Sequence, residues 1–289
     1  MKTLIERIKK LSQPLEPIPT GAVLKLDPLD GVETVLFDIY GTLLISGSGD
    51  VGTAAATDST EALTQALIVS GFEGDCERAS EFGPELLKAE IAQRHETAHD
   101  DGIEFPEVEI SRVWKKIIQK FQALDLLKAD EDPDKILRLA VEYECRVNPV
   151  WPMPGALEAI QFLKKRGFRL GIVSNAQFYT PLIIEALFGK SVEALGFEKE
   201  LCVWSYKELR AKPSIELFQT LETKTDLSKA LYVGNDMLND VWTATEAGCH
   251  TVLFAGDQRS LRLRERDKRC KKMKSTAIVD DLRQVTEMV

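Results

Sequence analysis

The sequence has no long apolar run and no excess of positive charge. No stretch approaches the ~20 consecutive apolar residues that a membrane-spanning helix needs, and residues 1–17, which are charged throughout, lack the apolar segment of a signal peptide. A formal net charge of −9 over 289 residues gives an acidic surface that does not attract nucleic acid or anionic lipid. We therefore expect a cytoplasmic protein whose partners are neither membranes nor nucleic acids.

Cysteine is also scarce, and no CxxC pair occurs. The five residues are odd in number and widely scattered, at Cys76, Cys145, Cys202, Cys249 and Cys270. This pattern is typical of reduced thiols and disfavours both a disulfide framework and a cysteine-ligated zinc site. Hydrophobic residues make up 44% of the chain, which is enough for a sizeable core in one large domain or two ordinary ones.

From residue 150 onward, short apolar runs alternate with helical patterns. Three of the helical segments open on proline, a favoured first residue of a helix. A further apolar run at 32–40 has the same strand character, and the later runs are 169–175, 201–205, 230–235, 250–256 and 276–280. Nearly continuous apolar strands that alternate with helices predict an α/β fold, with a doubly wound parallel sheet covered on both faces.

The segment between the first strand and residue 148 has a different pattern. Apolar residues recur at helical spacing over 113–124 and 136–143, and no strand pattern is evident. We predict an all-helical subdomain at 56–147, joined to the rest by Gly- and Pro-rich hinges at 47–55 and 148–155. The remaining predicted parts are an N-terminal helical extension at 1–30 and an α/β core at 31–55 and 148–289.

Polar residues follow the predicted strands, and ligands of open parallel sheets bind at these strand ends. Asp236 and Asp240 are four residues apart, so they share one face if that turn is helical. Together with Asp38 they would repel one another unless a cation lay between them, and Mg²⁺ prefers such oxygen ligands. The set predicts a Mg²⁺ site and an anionic small-molecule ligand, and its members are Asp38, Ser174, Asn175, Lys212, Asp236 and Asp240.

Four motifs in order resemble the haloacid dehalogenase superfamily of hydrolases: DIYGT (38–42), IVSN (172–175), KP (212–213) and GNDMLND (234–240). The resemblance extends over nearly the whole chain from about residue 32. It implies that the helical segment is a cap of the superfamily's first type, which closes over the site and supplies specificity. It also implies phosphate-ester hydrolysis through a covalent aspartyl intermediate.

The same resemblance assigns roles to individual residues. Asp38 would be the nucleophile and Lys212 would steady both the nucleophile and the developing charge. The Mg²⁺ ion would be held by Asp38, the main-chain carbonyl of Tyr40 and Asp236, with Asp240 in support. The expected substrate-binding residues are Gly41, Thr42, Ser174 and Asn175, and Gly41 would also let the chain turn sharply after the strand.

Tyr40 departs from the phosphatase pattern, in which a second aspartate protonates the leaving alkoxide and then activates water. A tyrosine with an ordinary pKa of about 10 does the latter poorly near neutral pH. Tyrosine here is typical of the superfamily's metal-independent dehalogenases, whereas GNDMLND is typical of its metal-binding phosphatases. We favour the phosphatase, because two acids facing Asp38 have no role in a halide site. Dehalogenation and a catalytically weak binding protein remain alternatives.

Two other motifs suggest different chemistry. HETAH (95–99) matches the HExxH pattern of zinc proteases, but Arg94 precedes it and Asp100, Asp101 and Gly102 end the helix at once. We favour a solvated helix, with a contribution of His95 or Glu96 to specificity as a second possibility. The segment 259–274 has nine basic residues and two acids. Contact with RNA or a phosphate-rich partner is one interpretation; we favour a solvated loop and short helix before the last strand that balance acids elsewhere.

Overall fold

The computed structural model describes residues 1–47, 56–130 and 132–289. The strands are β1 (Thr34–Phe37), β2 (Leu44–Ser46), β3 (Val150–Pro152), β4 (Arg169–Ser174), β5 (Phe197–Trp204), β6 (Ala230–Gly234), β7 (His250–Phe254) and β8 (Ala277–Val279). The longer helices are α1 (Lys2–Leu11), α2 (Ala56–Ser70), α3 (Cys76–Asp100), α4 (Ile110–Ala123), α5 (Pro133–Val147), α6 (Ala156–Lys165) and α7 (Thr180–Phe188). The short ones are α8 (Val192–Leu195), α9 (Ser205–Glu208), α10 (Glu216–Gln219), α11 (Thr243–Glu246) and α12 (Val285–Met288).

Six strands form one sheet in the order β5-β4-β1-β6-β7-β8, and each neighbouring pair is parallel. All four residues of β1 are buried, as expected for a central strand covered on both faces. Because β1 lies between β4 and β6, the three strands end side by side at one edge of the sheet. The predicted α/β fold with a parallel sheet is confirmed.

Two predicted elements differ in detail from the structure. Strand β5 begins at Phe197, four residues before the apolar run at 201–205. Residues 198–200, which are charged and half-exposed or exposed at the sheet edge, interrupt the apolar pattern there. The segment after β6 is one π-helical turn, Met237–Trp242, followed by α11, rather than a single regular helix. Such π turns often occur at functional sites, where they redirect side chains.

Helices α2–α5 lie between β2 and β3, and we call residues 56–147 the helical insertion. Strands β2 and β3 pair antiparallel, so the two connections of the insertion run side by side. Ser46 Oγ donates to Asn148 Oδ1 at 2.8 Å, which adds a buried side-chain bond to this ribbon. Most of the predicted hinge at 47–55 lies outside the described residues, and the domain boundaries stay predictions.

Helix α1 joins the helical insertion to the core. Leu4 and Ile8 are buried in the main hydrophobic cluster, and α1 packs against both α5 and α7. Arg7 forms an ion pair with Glu142, a buried residue of α5. Further along, Lys25 forms an antiparallel bridge with Ile278 of the edge strand β8. The N-terminal segment is therefore packed along both parts of the molecule.

Among the residues that the structure describes, no helix combines the length and the apolar character that crossing a bilayer requires.

Replacing Ile8 with alanine should lower the free energy of unfolding by about 2–4 kcal/mol, because a fully buried side chain leaves a cavity between α1, α5 and α7. Lys9→Ala on the exposed face of α1 is the matched control and should change it by less than about 0.5 kcal/mol. Urea denaturation followed by circular dichroism measures both. Equal effects of the two substitutions would contradict the packing of α1.

Candidate active site

The predicted site residues lie together at the carboxyl ends of three adjacent strands. Asp38 directly follows β1, Ser174 is the last residue of β4, and Asp236 follows β6 after a two-residue step. Lys212 comes from the loop between α9 and α10. The parallel register of β4, β1 and β6 places these ends at one edge, as the strand pattern predicts.

The ammonium group of Lys212 is the centre of this cluster. Its Nζ donates to Asp38 Oδ1 at 2.8 Å, to Asp240 Oδ1 at 2.5 Å and to the Tyr232 hydroxyl at 2.9 Å. An ammonium has three N–H donors, so this geometry satisfies all of them. The Tyr232 hydroxyl in turn donates to the Val173 carbonyl at 2.7 Å. Lys212 therefore holds the predicted nucleophile and the second acid of GNDMLND in one network.

Burial and charge act in opposite directions on this network. Burial alone would lower the pKa of Lys212, but the negative charges of Asp240 and Asp38 outweigh it and raise the pKa. Burial raises the pKa of Asp240 to about 6, against the opposing attraction of Lys212. Lys212 thus stays a cation with only 3% of its side chain exposed. It lies between Asp38 and Asp240, where the sequence analysis expected a cation and proposed Mg²⁺.

Asn175 positions the backbone of Lys212. Its Oδ1 accepts from the Lys212 amide at 2.7 Å, and its Nδ2 donates to the Lys212 carbonyl at 3.2 Å. Both ends of the Asn175 amide are thereby engaged by one peptide segment. The Ser174 side chain is fully buried, and its hydroxyl makes only a long bond of 3.4 Å to the Asn175 carbonyl. Binding of a substrate by these two residues stays a prediction.

Asp236 pairs with a residue that sequence reasoning missed. The Arg264 guanidinium donates to both oxygens of the Asp236 carboxylate, with its Nε at 3.2 Å from Oδ1 and its Nη2 at 2.5 Å from Oδ2. Asp236 also caps the π turn by accepting from the amides of Leu238 and Asn239. Arg264 is half-buried and neutralises a predicted metal ligand, which agrees with the expectation that the basic residues of 259–274 balance acids elsewhere in the chain.

Backbone pairing brings the Arg264 loop to this place. The Met237 amide donates to the Arg262 carbonyl at 2.8 Å, and the Arg262 amide donates to the Asn235 carbonyl at 3.0 Å. Arg264 itself has a left-handed backbone with φ 49°, a conformation that is uncommon outside glycine and recurs at functional sites. No periodicity in 259–274 predicts this contact, because it depends on loop conformation.

Asp236 and Asp240 lie close together but point to different cations. The Asp240 side chain reaches back along the π turn, and its Oδ2 accepts from the Asp236 amide at 2.8 Å. Its other oxygen faces Lys212, whereas the Asp236 carboxylate faces Arg264. The two acids therefore share a site, as their spacing predicts, but each has its own positive partner.

Gly41 and Thr42 form the tight turn after β1. Gly41 has φ +84°, and a Cβ there would lie 2.5 Å from Ser260 Cβ and 2.7 Å from Asn235 Nδ2. Thr42 Oγ1 donates to Asn235 Oδ1 at 3.0 Å, and Asn235 Nδ2 donates to the Ser260 carbonyl at 2.7 Å. The Thr42 side chain thus holds the turn against the GNDMLND motif, and its predicted contact with substrate is not tested by this arrangement.

Tyr40 faces away from the Lys212 network and toward the start of α7. Its hydroxyl lies 2.9 Å from Thr180 Oγ1, and Thr180 Oγ1 also accepts from the Gln177 amide at 3.2 Å. Burial, followed by the nearby Glu144 carboxylate, raises the pKa of Tyr40 well above 10. The phenol therefore keeps its proton near neutral pH and is a neutral hydrogen-bonding group.

A cavity of about 550 Å³ lies between the helical insertion and the core, and Tyr40 and Asn175 form part of its wall. Insertion and core are joined beside it, where the Ala211 amide donates to the Phe105 carbonyl at 2.9 Å and Ser205 Oγ donates to Glu107 Oε2 at 2.8 Å. His95 of the HETAH motif also lines the cavity. The structure therefore favours the second possibility for HETAH, in which His95 contributes to the site.

The oxygen donors at the sheet edge fit a divalent cation in chemical type, since Mg²⁺ binds carboxylate and carbonyl oxygens. Asp38 and Asp240 face the buried Lys212, whereas Asp236 faces Arg264, so three carboxylates meet two cations and one negative charge is left for a divalent ion to balance. Arg264 is a competing cation on Asp236. Across the described ranges, no three side chains of His, Cys, Asp or Glu converge as a complete ligand set. A metal here would therefore need a backbone carbonyl or water among its ligands.

Comparison with known proteins places the chain in a family. A family model described as haloacid dehalogenase-like hydrolase matches residues 32–248. The chain is 25% identical over 261 residues to a ribulose-1,5-bisphosphate 5-phosphatase of Halopiger xanaduensis, and the match covers 88% of this chain and 98% of that protein.

Solved structures share the fold. A 2-haloacid dehalogenase from Pseudomonas syringae pv. Tomato DC3000 superposes with a TM-score of 0.55 at 19% identity, covering 89% of this chain and 97% of that one. A HAD phosphatase from Thermococcus onnurineus gives a TM-score of 0.49 at 17% identity, with coverage of 89% and 97%. The matched region contains all four motifs, from Asp38 to Asp240. The chain therefore belongs to the haloacid dehalogenase-like hydrolases.

Proposed function

We propose that this hydrolase cleaves small phosphate monoesters with the help of Mg²⁺, using Asp38 as the nucleophile. The observation that carries the proposal is the buried Lys212 ammonium, bonded at once to Asp38 and Asp240. Such a group balances an attacking carboxylate and the anionic ligand that it attacks. The acidic pair Asp236 and Asp240 beside it suits phosphoryl chemistry, whereas a halide site has no use for it.

In the proposed reaction, a carboxylate oxygen of Asp38 forms a bond to phosphorus and the ester P–O bond breaks. The leaving group departs as an oxyanion and takes a proton from solvent. Water then attacks the aspartyl phosphate and gives a proton to solvent, which releases inorganic phosphate and restores Asp38. Ser174, at the end of the neighbouring strand, is placed to contact the transferring phosphoryl group. Asn175 acts mainly on Lys212, whose peptide it holds.

The proposed residues for Mg²⁺ are Asp38, Asp236 and the main-chain carbonyl of Tyr40, with Asp240 in support. When bound, the ion would neutralise charge on the phosphoryl oxygens. The helical insertion is proposed to act as the cap that covers the substrate, because the cavity lies between it and the core. The name of the Halopiger relative, a sugar bisphosphate phosphatase, supports a phosphorylated small molecule as the substrate.

Dehalogenation is the second candidate, and Tyr40 favours it. A phenol whose pKa is raised by burial cannot act as the base that activates water near neutral pH. A halide leaves without a proton, so that reaction does not need an acid at position 40. For the phosphatase, the same feature predicts a preference for good leaving groups, since the proton for a poor one has no donor at Tyr40.

The functional test measures phosphate release from 4-nitrophenyl phosphate with Mg²⁺ or with EDTA, alongside chloride release from 2-chloropropionate. We expect phosphate release that depends on Mg²⁺ and that falls at least 10³-fold in Asp38→Asn, because the amide is not a nucleophile. Chloride release that is independent of metal would instead establish the dehalogenase. If the wild-type protein releases neither phosphate nor chloride from a broad panel of substrates, a binding protein would be favoured.

Asn175→Ala should lower kcat about 10²-fold, because the peptide that carries Lys212 loses both of its side-chain bonds. Asn175→Asp keeps an acceptor for the Lys212 amide and should lose less activity. Steady-state kinetics on 4-nitrophenyl phosphate, with thermal unfolding to check the fold, measure both variants. Equal losses in the two variants would contradict the positioning role.

Arg264→Ala should bind Mg²⁺ about five- to tenfold more tightly, because the ion no longer competes with a guanidinium for Asp236. Isothermal titration with MgCl₂ measures the affinity without reference to activity. Arg266→Ala removes an exposed charge from the same loop and is the control. Unchanged or weaker binding in Arg264→Ala would show that Arg264 and the ion do not compete.

A further inference from the structure

We propose that the substrate carries a single phosphate, on an uncharged organic group that offers a hydroxyl or another neutral hydrogen-bonding group. The inference rests on the proposed function and narrows it, since it excludes bisphosphates as preferred substrates. It is carried by the composition of the 550 Å³ cavity beside the Lys212 network. That volume is ordinary for a small-molecule site.

The cavity is placed to hold the part of the substrate that leaves. Tyr40 and Asn175 of the core form its inner wall; Tyr40 lies two residues after Asp38, which bonds Lys212, and Asn175 itself bonds the Lys212 backbone. A phosphate held at Asp38 would therefore direct its organic group toward the helical insertion. The far wall there is largely apolar, with Leu87, Ile91 and Trp114 among its residues.

The charged groups of this wall that are shielded from solvent are acids. Glu144 is buried, where it accepts from the Tyr179 hydroxyl at 2.9 Å and from Asn148 Nδ2 at 3.2 Å. Glu107 accepts from Ser205 Oγ and from the Val108 amide. Burial raises the pKa of both carboxyls, so the wall is neutral to negative. A second phosphate would meet carboxyl groups in place of the cations that normally bind it.

The wall formed by the described residues has one lysine, Lys88. It is exposed and pairs with Glu85 at 3.1 Å within α3. Residues 48–55 and Glu131, which lie outside the described ranges, include no lysine, arginine or histidine. One exposed and paired lysine is fewer cations than a phosphate site normally supplies.

His95 supplies the neutral recognition group. Its Nε2 is buried and has no hydrogen-bond partner among the residues that the structure describes. Burial, with His99 as a second cause, lowers the pKa of His95, so the ring is uncharged near neutral pH. A buried polar atom without a partner is costly; Nε2 has almost no accessible surface, so a ligand hydroxyl would satisfy it once the His95 ring turns toward the cavity. An aryl group has no hydroxyl and would leave Nε2 without a hydrogen-bond partner.

The test compares ribulose 5-phosphate with ribulose 1,5-bisphosphate on the wild-type protein, by phosphate release in the presence of Mg²⁺. We expect kcat/KM to be at least tenfold higher for the monophosphate. Calorimetric titration of the Asp38→Asn variant with the same two ligands should give a Kd ratio in the same direction. The calorimetric titration tests the preference for a single phosphate even if the wild-type protein shows no turnover.

A positive charge introduced on the cavity wall should weaken the preference for the monophosphate over the bisphosphate. Ala92→Lys places a cation on the cavity face of α3, where the native side chain is exposed, and should raise kcat/KM for the bisphosphate severalfold. Ala89→Lys makes the same change one turn earlier on the same helix, outside the cavity wall, and should leave kcat/KM for both substrates unchanged.

Replacing His95 with phenylalanine should raise KM for ribulose 5-phosphate more than KM for phenyl phosphate, because phenyl phosphate has no hydroxyl for the imidazole to bind.

The outcomes separate the two proposals. Equal or faster turnover of the bisphosphate would overturn the single-phosphate inference and leave the proposed phosphatase standing. Absence of phosphate release from every ester would overturn the phosphatase, and the calorimetric ratio would then decide the inference alone. Equal Kd values for the two ligands in Asp38→Asn would overturn it in either case.

Discussion

The site depends on one buried ammonium group. Lys212 is bonded to the acid that ends the central strand, to an acid in the π turn after β6 and to a tyrosine within β6. Removing a buried charge of this kind leaves its partners uncompensated, which costs about 3–5 kcal/mol. The network is thus both the chemical centre of the site and a structural tie between the loop before α10 and the middle of the sheet.

Charge balance explains why this edge can hold so many acids. Each of the acids of GNDMLND has a separate cation, Lys212 for Asp240 and Arg264 for Asp236. Arg264 donates to both oxygens of Asp236, the carboxylate that we propose for Mg²⁺, and so holds its position. In that proposal, metal binding would exchange one cation for another, and its strength would depend on the loop that carries Arg264.

The helical insertion and the core form one continuous hydrophobic cluster, with α1 packed against both. Their junction leaves a cavity whose wall is largely apolar with buried carboxyl groups, and the edge beside it carries the paired charges of Lys212 and Arg264 with their acids. One neighbouring environment with cations and one without them suit a substrate with one anionic end and one neutral end. This contrast is the physical basis of the specificity that we propose, and Tyr40 lies at the boundary between the two environments.

The sequence by itself determined the parallel sheet, the helical character of the insertion and the residues at the strand ends. Apolar runs and helical spacing are local, and the parallel register brings Asp38, Ser174 and Asp236 to one edge without further information. Only the tertiary structure revealed the role of Arg264, the clamp of Asn175 on Lys212 and the cavity face of His95. These contacts join segments far apart in the chain through loop conformation and side-chain direction, which leave no periodic pattern in the sequence.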